Sequence, residues 1–207
     1  MFETRPTKEN ARAFFDLYMS RKEPVLAEFK ARSEATGGPK ASELNYSKES
    51  LTPLWAWLRK NTPFATEPPA LELRPPWYDF ELITNPHNPG FHLTPVAAAN
   101  ADGFAYYWGE TLLRYIPDTK WDIDPFPKDW SYCKPVILSD FFVNDPLILS
   151  TGMIAGSNRD FSDNRYGPDA IANKLSSSIE NEKRYRKMCE DAGGHVDPRV
   201  RKPTIFK

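Results

Sequence analysis

Residues 94–124 read TPVAAANADGFAYYWGETLLRYIPDTKWDID, and this stretch decides the fold. Thr94 offers a side-chain oxygen to cap a helix, and Pro95 suits the first helical position, where a missing N–H costs nothing. From there to Tyr115, apolar and small residues fall on most sides. Such a helix has no wide polar face to give to water and has to lie in the middle of the molecule. Pro117-Asp118 ends it, and Lys120–Asp124 reads as a strand directly afterwards. A buried helix running into a strand specifies a mixed helix–sheet fold.

Towards the N-terminus, Thr7 is the expected cap of a first helix, with Phe14, Leu17 and Tyr18 at i, i+3 and i+4. Pro24 is expected to break or kink it, opening a second piece, Pro24–Ala35, that carries Val25, Leu26 and Phe29 and stops at Gly37-Gly38-Pro39. Ser47 is expected to cap the next helix, with Tyr46 packing on Leu51 as a hydrophobic staple. Thr52 as cap with Pro53 at the first position is the other start the sequence allows. Leu54, Trp55, Trp57 and Leu58 give this helix its apolar face, and Asn61-Thr62-Pro63 its end. Residues 63–76 hold five prolines and read as an irregular connection. Trp77–Thr84 fits a short strand or a helix, and the run NPHNPG over 85–90 is a turn.

Towards the C-terminus, Pro135–Asp140 and Pro146–Ile154 read as two further strands, which with Lys120–Asp124 make an antiparallel meander packed on helices. Residues 156–168 read as a polar loop. Asp169–Asp191 is an amphipathic helix with Ile171, Leu175, Ile179 and Met188 on one stripe, ended by Gly193-Gly194. The fold class is therefore α+β: N-terminal helices, a central buried helix, a small mostly antiparallel sheet and a C-terminal amphipathic helix. The expected organisation is one domain over 1–195 and an extended basic tail over 196–207.

The totals agree with a globular protein. A chain of 207 residues buries roughly 70% of its unfolded surface without needing staples. Its 6 Trp, 9 Tyr and 13 Phe supply large core side chains. The 20 prolines, about twice the usual share, fall mostly between periodic segments among large apolar residues and read as rigid connections. A net charge of −1 argues against a bulk nucleic-acid binder. Two cysteines, Cys133 and Cys189, do not make a disulfide framework and favour a reducing compartment. No apolar leader segment is visible at the N-terminus, and no run is apolar enough for a membrane span, because the Ala-rich stretch is short and contains Asp102. The expected location is cytoplasmic.

Two short motifs stand out. One is Tyr46-Ser47-Lys48-Glu49-Ser50-Leu51 with Leu54, Trp57 and Leu58. The other is Tyr106-Tyr107-Trp108-Gly109-Glu110-Thr111-Leu112 followed by Trp121 on a strand. Together, over 45–124, they resemble a loose set of small bacterial proteins that share a Y-S-x-x-S-L helix start and an A-x-Y-x-G-E helix ahead of a Trp-bearing strand. Some of that set look like immunity or accessory proteins of bacterial competition systems. The resemblance implies a binding role and transfers no activity.

Among candidate chemical groups, Glu110 is the sharpest, being a carboxylate in a helix that otherwise reads as core. In an apolar setting it would have a raised pKa and could work as an acid or base. The structural alternative is a bond to a backbone group or to Arg114, one turn on, with Gly109 simply allowing another element to come close. His87 and His92 flank the 85–90 turn downstream of Asp79 and Glu81, but no metal-ligand spacing is present, so no metal is expected. Asn158, Asp160, Ser162 and Asn164 alternate as in a calcium loop with Asp169 at the twelfth-ligand position, yet Asp163 stands where the sharp turn needs Gly and Asp replaces the closing Glu, so the stretch reads as a plain polar loop. Cys133, beside Lys134, reads as a buried structural thiol, and Cys189 as incidental. Gly152 and Gly156 fit no phosphate-binding loop. His195, Arg199, Arg201 and Lys202 read as a solvated end.

The aromatics are numerous, and Trp77, Tyr78, Tyr107, Trp108 and Trp130 are the candidates for a binding surface, since Trp and Tyr are enriched at interfaces. The function expected is non-catalytic binding of another protein, of immunity or accessory type. Cofactors are not expected. The alternative is a small hydrolase or transferase using Glu110 with Asp122, Asp124 or Asp140.

Overall fold

The computed structural model describes residues 5–83, 92–158, 166–191 and 193. The tail and its Arg199, Arg201 and Lys202, the turn at His87, His195, and the loop positions Asp160, Ser162, Asp163 and Asn164 lie outside the described residues, as does the side chain of Asn158. The architecture is α+β. Six α-helices surround or form the core, with one three-stranded and one two-stranded antiparallel sheet among the described residues.

The helix α4, Pro95–Tyr115, is central. Thr94 Oγ1 accepts from the Ala97 N–H at 3.3 Å, and Pro95 sits in the first turn. Buried positions run round it from Ala97 to Leu112, so the expected all-round burial is what the chain adopts. Its neighbours are α2, Lys22–Ala35, and α5, Pro146–Asn158. At Gly103 an added Cβ would stand 2.5 Å from the Phe29 ring of α2, so only glycine lets these two helices close this tightly.

α1, Ala11–Ser20, differs in detail from its reading. Thr7 is not the cap: its backbone N–H donates to Asn10 Oδ1 at 2.6 Å, and the helix starts after Asn10. The break falls at Arg21. Pro24 lies in the first turn of α2, where its missing donor disturbs no helical bond. The inward stripe is Ala11, Phe14 and Tyr18, while Leu17 faces water.

α3, Lys48–Lys60, is capped as expected, with Ser47 Oγ accepting from the Ser50 N–H at 3.3 Å. The Tyr46 ring packs on Tyr107 at 4.8 Å between centroids. After α3, β1 (Phe64–Ala65) pairs with β2 (His92–Leu93), and Leu71–Leu73 form a 3-10 turn. The segment after Trp77 settles as a π-helix, Asp79–Ile83.

The second sheet runs in the order β3 (Lys120–Ile123), β4 (Pro135–Leu138), β5 (Val143–Asn144), with Trp121 opposite Ile137 and Leu138 opposite Val143. The meander is present, but its third strand is not Pro146–Ile154. That stretch is α5. Asp145 Oδ1 accepts from the N–H groups of Leu147 and Ile148, both at 3.0 Å, which caps a helix that Pro146 begins. An apolar run of this length carries no periodicity that separates strand from buried helix, and the Asp-Pro start decides it.

α6, Ala170–Asp191, presents Ile171 and Leu175 to α3 and the core. Met188 is not on the buried stripe; it is exposed, and Glu182 and Cys189 face inward instead. Glu182 tolerates this because Arg186, one turn on, donates to its Oε1 twice, at 2.7 and 2.9 Å. One cluster of buried side chains runs from Phe14 in α1 to Leu175 in α6. No helix among the described residues is long and apolar enough to cross a membrane.

Candidate functional site

A cleft of about 200 Å³ opens between α2, the N-terminal half of α4 and the 72–75 connection. Three arginines line it: Arg21 and Arg32 at the two ends of α2, and Arg74 after the 3-10 turn. At its base Asp102 of α4, 2% exposed, accepts Arg21 Nη2 on Oδ2 at 2.9 Å and the Trp77 indole N–H on Oδ1 at 2.7 Å. Burial pushes the Asp102 carboxyl above its ordinary value, against the pull of Arg21 and the indole bond. Arg32 gives its Nε–H to Asn100 Oδ1 at 2.7 Å, and Asn100 in turn donates to the Asn61 carbonyl at 2.8 Å. Burial depresses the Arg32 guanidinium from its usual value, with Glu28 and Asp102 opposing. Arg74 is fixed more firmly, donating to Asp79 Oδ1 at 2.7 Å and to the Pro69 carbonyl at 2.8 Å. Val25, Leu73 and Ala99 form apolar wall, and the exposed carboxylates Glu28 and Glu72 stand at the rim.

Sequence reasoning did not single out these arginines. The available signal was Asp102, a charge within an apolar helix. A buried carboxylate needs a cation and hydrogen bonds, so it foretells a partner without saying which residue that is.

Glu110 lies elsewhere, where α4 meets β3. Its Oε1 accepts Lys22 Nζ at 2.9 Å and the Trp121 indole N–H at 3.0 Å, and the side chain is 22% exposed. Arg114 is not its partner; that guanidinium donates to the Asn45 carbonyl at 2.6 Å. Among the described residues no hydrogen bond or ion pair joins Glu110 to Asp122, Asp124 or Asp140. Asp122 pairs with Lys120 at 2.7 Å, Asp124 accepts from Ser131 Oγ and from the Phe126 N–H, and Asp140 is exposed. In this geometry Glu110 is an anchor for Trp121 and Lys22. Glu110→Gln keeps an acceptor for the indole and removes one partly exposed charge pair, so thermal unfolding should show a loss of no more than about 1 kcal/mol.

The aromatic candidates are placed inward. Trp77, Tyr78, Tyr107 and Trp108 are each 0% exposed, so they do not line the surface on which they were expected. Their polar ends are satisfied in the core: Tyr78 Oη bridges the Leu93 backbone, Tyr107 Oη meets the Tyr46 N–H and Ser50 Oγ, and Trp108 donates to Asn144 Oδ1 at 3.0 Å. The reason is their position. Tyr107 and Trp108 sit on a helix surrounded by others, and Trp77 is drawn in by Asp102. Trp130 is half-buried, with the Arg5 guanidinium 4.9 Å from its ring centre.

A second cluster is entirely interior. Lys134, just before β4, has a side chain 1% exposed; it bonds Glu81 of the π-helix and pairs with Asp145 Oδ2 at 3.2 Å. Phe80 and Trp130 rings flank its ammonium at 5.9 and 5.4 Å. Burial raises the Glu81 carboxyl above its ordinary value, and Lys134 holds it down. Asp145 also caps α5, so one lysine ties the sheet, the π-helix and a helix start together. Next to it Cys133 is buried as expected. It stands at φ +67°, in the left-handed region, and its N–H donates to the Asp124 carbonyl at 3.1 Å, which closes the loop from β3 to β4. Among the described residues no group of three His, Cys, Asp or Glu is arranged to hold a metal ion. Compared with known proteins, this chain matches no family model, no curated protein and no solved structure.

Proposed function

We propose that the chain is a non-catalytic protein-binding factor of the immunity or accessory kind, acting in the bacterial cytoplasm, and that the arginine cleft with its apolar rim is the contact surface. The observation that carries this is Leu73, 53% exposed, beside three arginines around one cleft. A large exposed apolar side chain next to partly buried guanidiniums is the composition of an interface centre, where Arg is enriched and most of the energy is concentrated. Leu71, in the same turn, and Val96, one turn before Ala99 on α4, are also exposed. The resemblance over 45–124 points to the same class of function.

The test compares capture of a protein partner from lysate by wild type, by Leu73→Ser and by Arg59→Ser, the last on the exposed side of α3. The expected result is one stoichiometric partner held by wild type and by Arg59→Ser, with capture reduced about tenfold for Leu73→Ser, and all three chains melting alike. Equal capture by all three, or no partner at all, would end this reading.

A further inference from the structure

Resting on that reading, we infer that the cleft receives a single carboxylate, the side chain of an Asp or Glu of the partner protein, with Arg32 as the receiving donor and Arg21 as the second cation. The argument begins with donors that the protein leaves unused. Asp102 accepts the Trp77 indole on one oxygen and Arg21 on the other, a single bond to the guanidinium. Arg21 is held by Nη2 alone, and its Nη1, enclosed by protein, has no hydrogen-bond partner among the described residues. Arg32 uses only Nε, on a neutral amide oxygen, and its remaining N–H groups make no hydrogen bond among the described residues. Arg32 thus faces the cleft with spare donors and Arg21 adds a second positive charge beside it, while Arg74 is spent on Asp79 and a carbonyl. Planar guanidinium donors match the two oxygens of a carboxylate, and such bonds are about twice as strong as neutral ones.

Size and charge choose among anions. A volume of about 200 Å³ is below that of ordinary small-molecule pockets, roughly 300–1,000 Å³, and fits one side chain better than a nucleotide. Glu28 and Glu72 at the rim are exposed and bonded to nothing among the described residues, so they would repel a polyanion such as a nucleic-acid backbone. They are screened by water and free to turn away from one entering charge. Val25 and Leu73 offer apolar contact to the methylene stem of an acidic side chain. Asp102 acts here as a positioning residue, holding Arg21 at the inner end.

The experiment titrates the full chain with acetyl-Ala-Leu-Glu-Leu-Ala-amide, with the same peptide carrying Gln for Glu, and with inorganic phosphate. Binding is followed by calorimetry and by the NMR signal of the Arg32 Nε–H. The glutamate peptide is expected to move that signal and the glutamine peptide to leave it. Binding should fall about tenfold in Arg32→Gln and stay unchanged in Arg59→Gln, with circular dichroism confirming that both variants are folded. The inference is overturned if the two peptides bind alike, if neither binds at millimolar concentration, or if phosphate binds as tightly as the glutamate peptide. Partner capture separates the two claims. A partner lost by Leu73→Ser but kept by Arg32→Gln would sink the carboxylate inference and leave protein binding standing, whereas a partner indifferent to both would remove the reading beneath it.

Discussion

Lys134→Met is expected to destabilise the protein by about 3–5 kcal/mol, lowering the melting temperature by about 10 °C for a chain of this length. Methionine fills nearly the same space, so the loss does not come from a cavity. It comes from the two carboxylates that the lysine leaves behind. Glu81 is 1% and Asp145 7% exposed, and without the ammonium between them each is a buried anion facing the other. The double variant Lys134→Met with Glu81→Leu should recover most of the loss, because the remaining Asp145 still has the N–H groups of Leu147 and Ile148. Strictly additive losses in urea unfolding would refute this account of the cluster.

The same substitution carries a pH dependence with a definite sign. In the wild type Glu81 already binds its proton more tightly folded than unfolded, chiefly through burial, and Lys134 opposes this. Removing the lysine removes the opposition, so the folded-state pKa rises further. A group raised in this way contributes stability below its unfolded pKa and loses it as the pH climbs through the folded value. The difference in stability between wild type and Lys134→Met should therefore be widest at neutral pH and shrink as the solution is made acid. A difference that stays constant, or widens in acid, would mean that Glu81 is not the group left stranded.

The parts that sequence reasoning reached are those where local chemistry and tertiary demand coincide. α4 was legible because Thr94-Pro95 starts it, Pro117 stops it, and almost no polar face lies between. α3 was legible from Ser47, and β3 from its place after a forced stop. α5 was not, since Leu147–Leu149 satisfies strand and buried helix equally, and the deciding contacts are two backbone bonds to Asp145 that an observer of composition does not weigh. The aromatic residues misled for a related reason. Trp77 and Trp108 have polar ends, which makes a surface role plausible, yet each finds an acceptor inside, in Asp102 and Asn144.

The cleft was hidden more deeply. Arg21, Arg32 and Arg74 are unremarkable along the chain and come together in space, the first two at the ends of the helix that Gly103 lets lie against α4 and the third on the 72–75 connection. Long-range convergence of this kind leaves no mark in spacing. What the chain does show is the charge at Asp102 within an apolar stretch, and the physical rule that such a charge is never left alone makes it the better starting point than the aromatics were.

Gly109→Ala is expected to cost about 2 kcal/mol, although alanine is the better helix former by about 1 kcal/mol. An added Cβ at this position would stand 2.0 Å from Trp121 Cζ2 and 2.6 Å from Cη2, far inside the roughly 3.5–4.0 Å of ordinary carbon contact. Either the indole or the helix has to move by more than an ångström. The indole has little room. Its N–H is held by Glu110 at 3.0 Å, and its ring lies among Tyr18 and Tyr106, with centroids 5.9 and 6.2 Å away. Tyr106 is itself fixed by a 2.6 Å bond to the Tyr18 carbonyl. The sharper result lies in a second background. In Trp121→Leu the obstruction is gone, so Gly109→Ala should there stabilise the protein, a change of sign that helix propensity or general crowding alone does not produce. If alanine destabilises both backgrounds equally, the glycine serves the helix rather than the tryptophan. With the sign change, Gly109 and Glu110 form one device: the first residue clears the surface on which the β3 indole lies, and the second holds that indole in place.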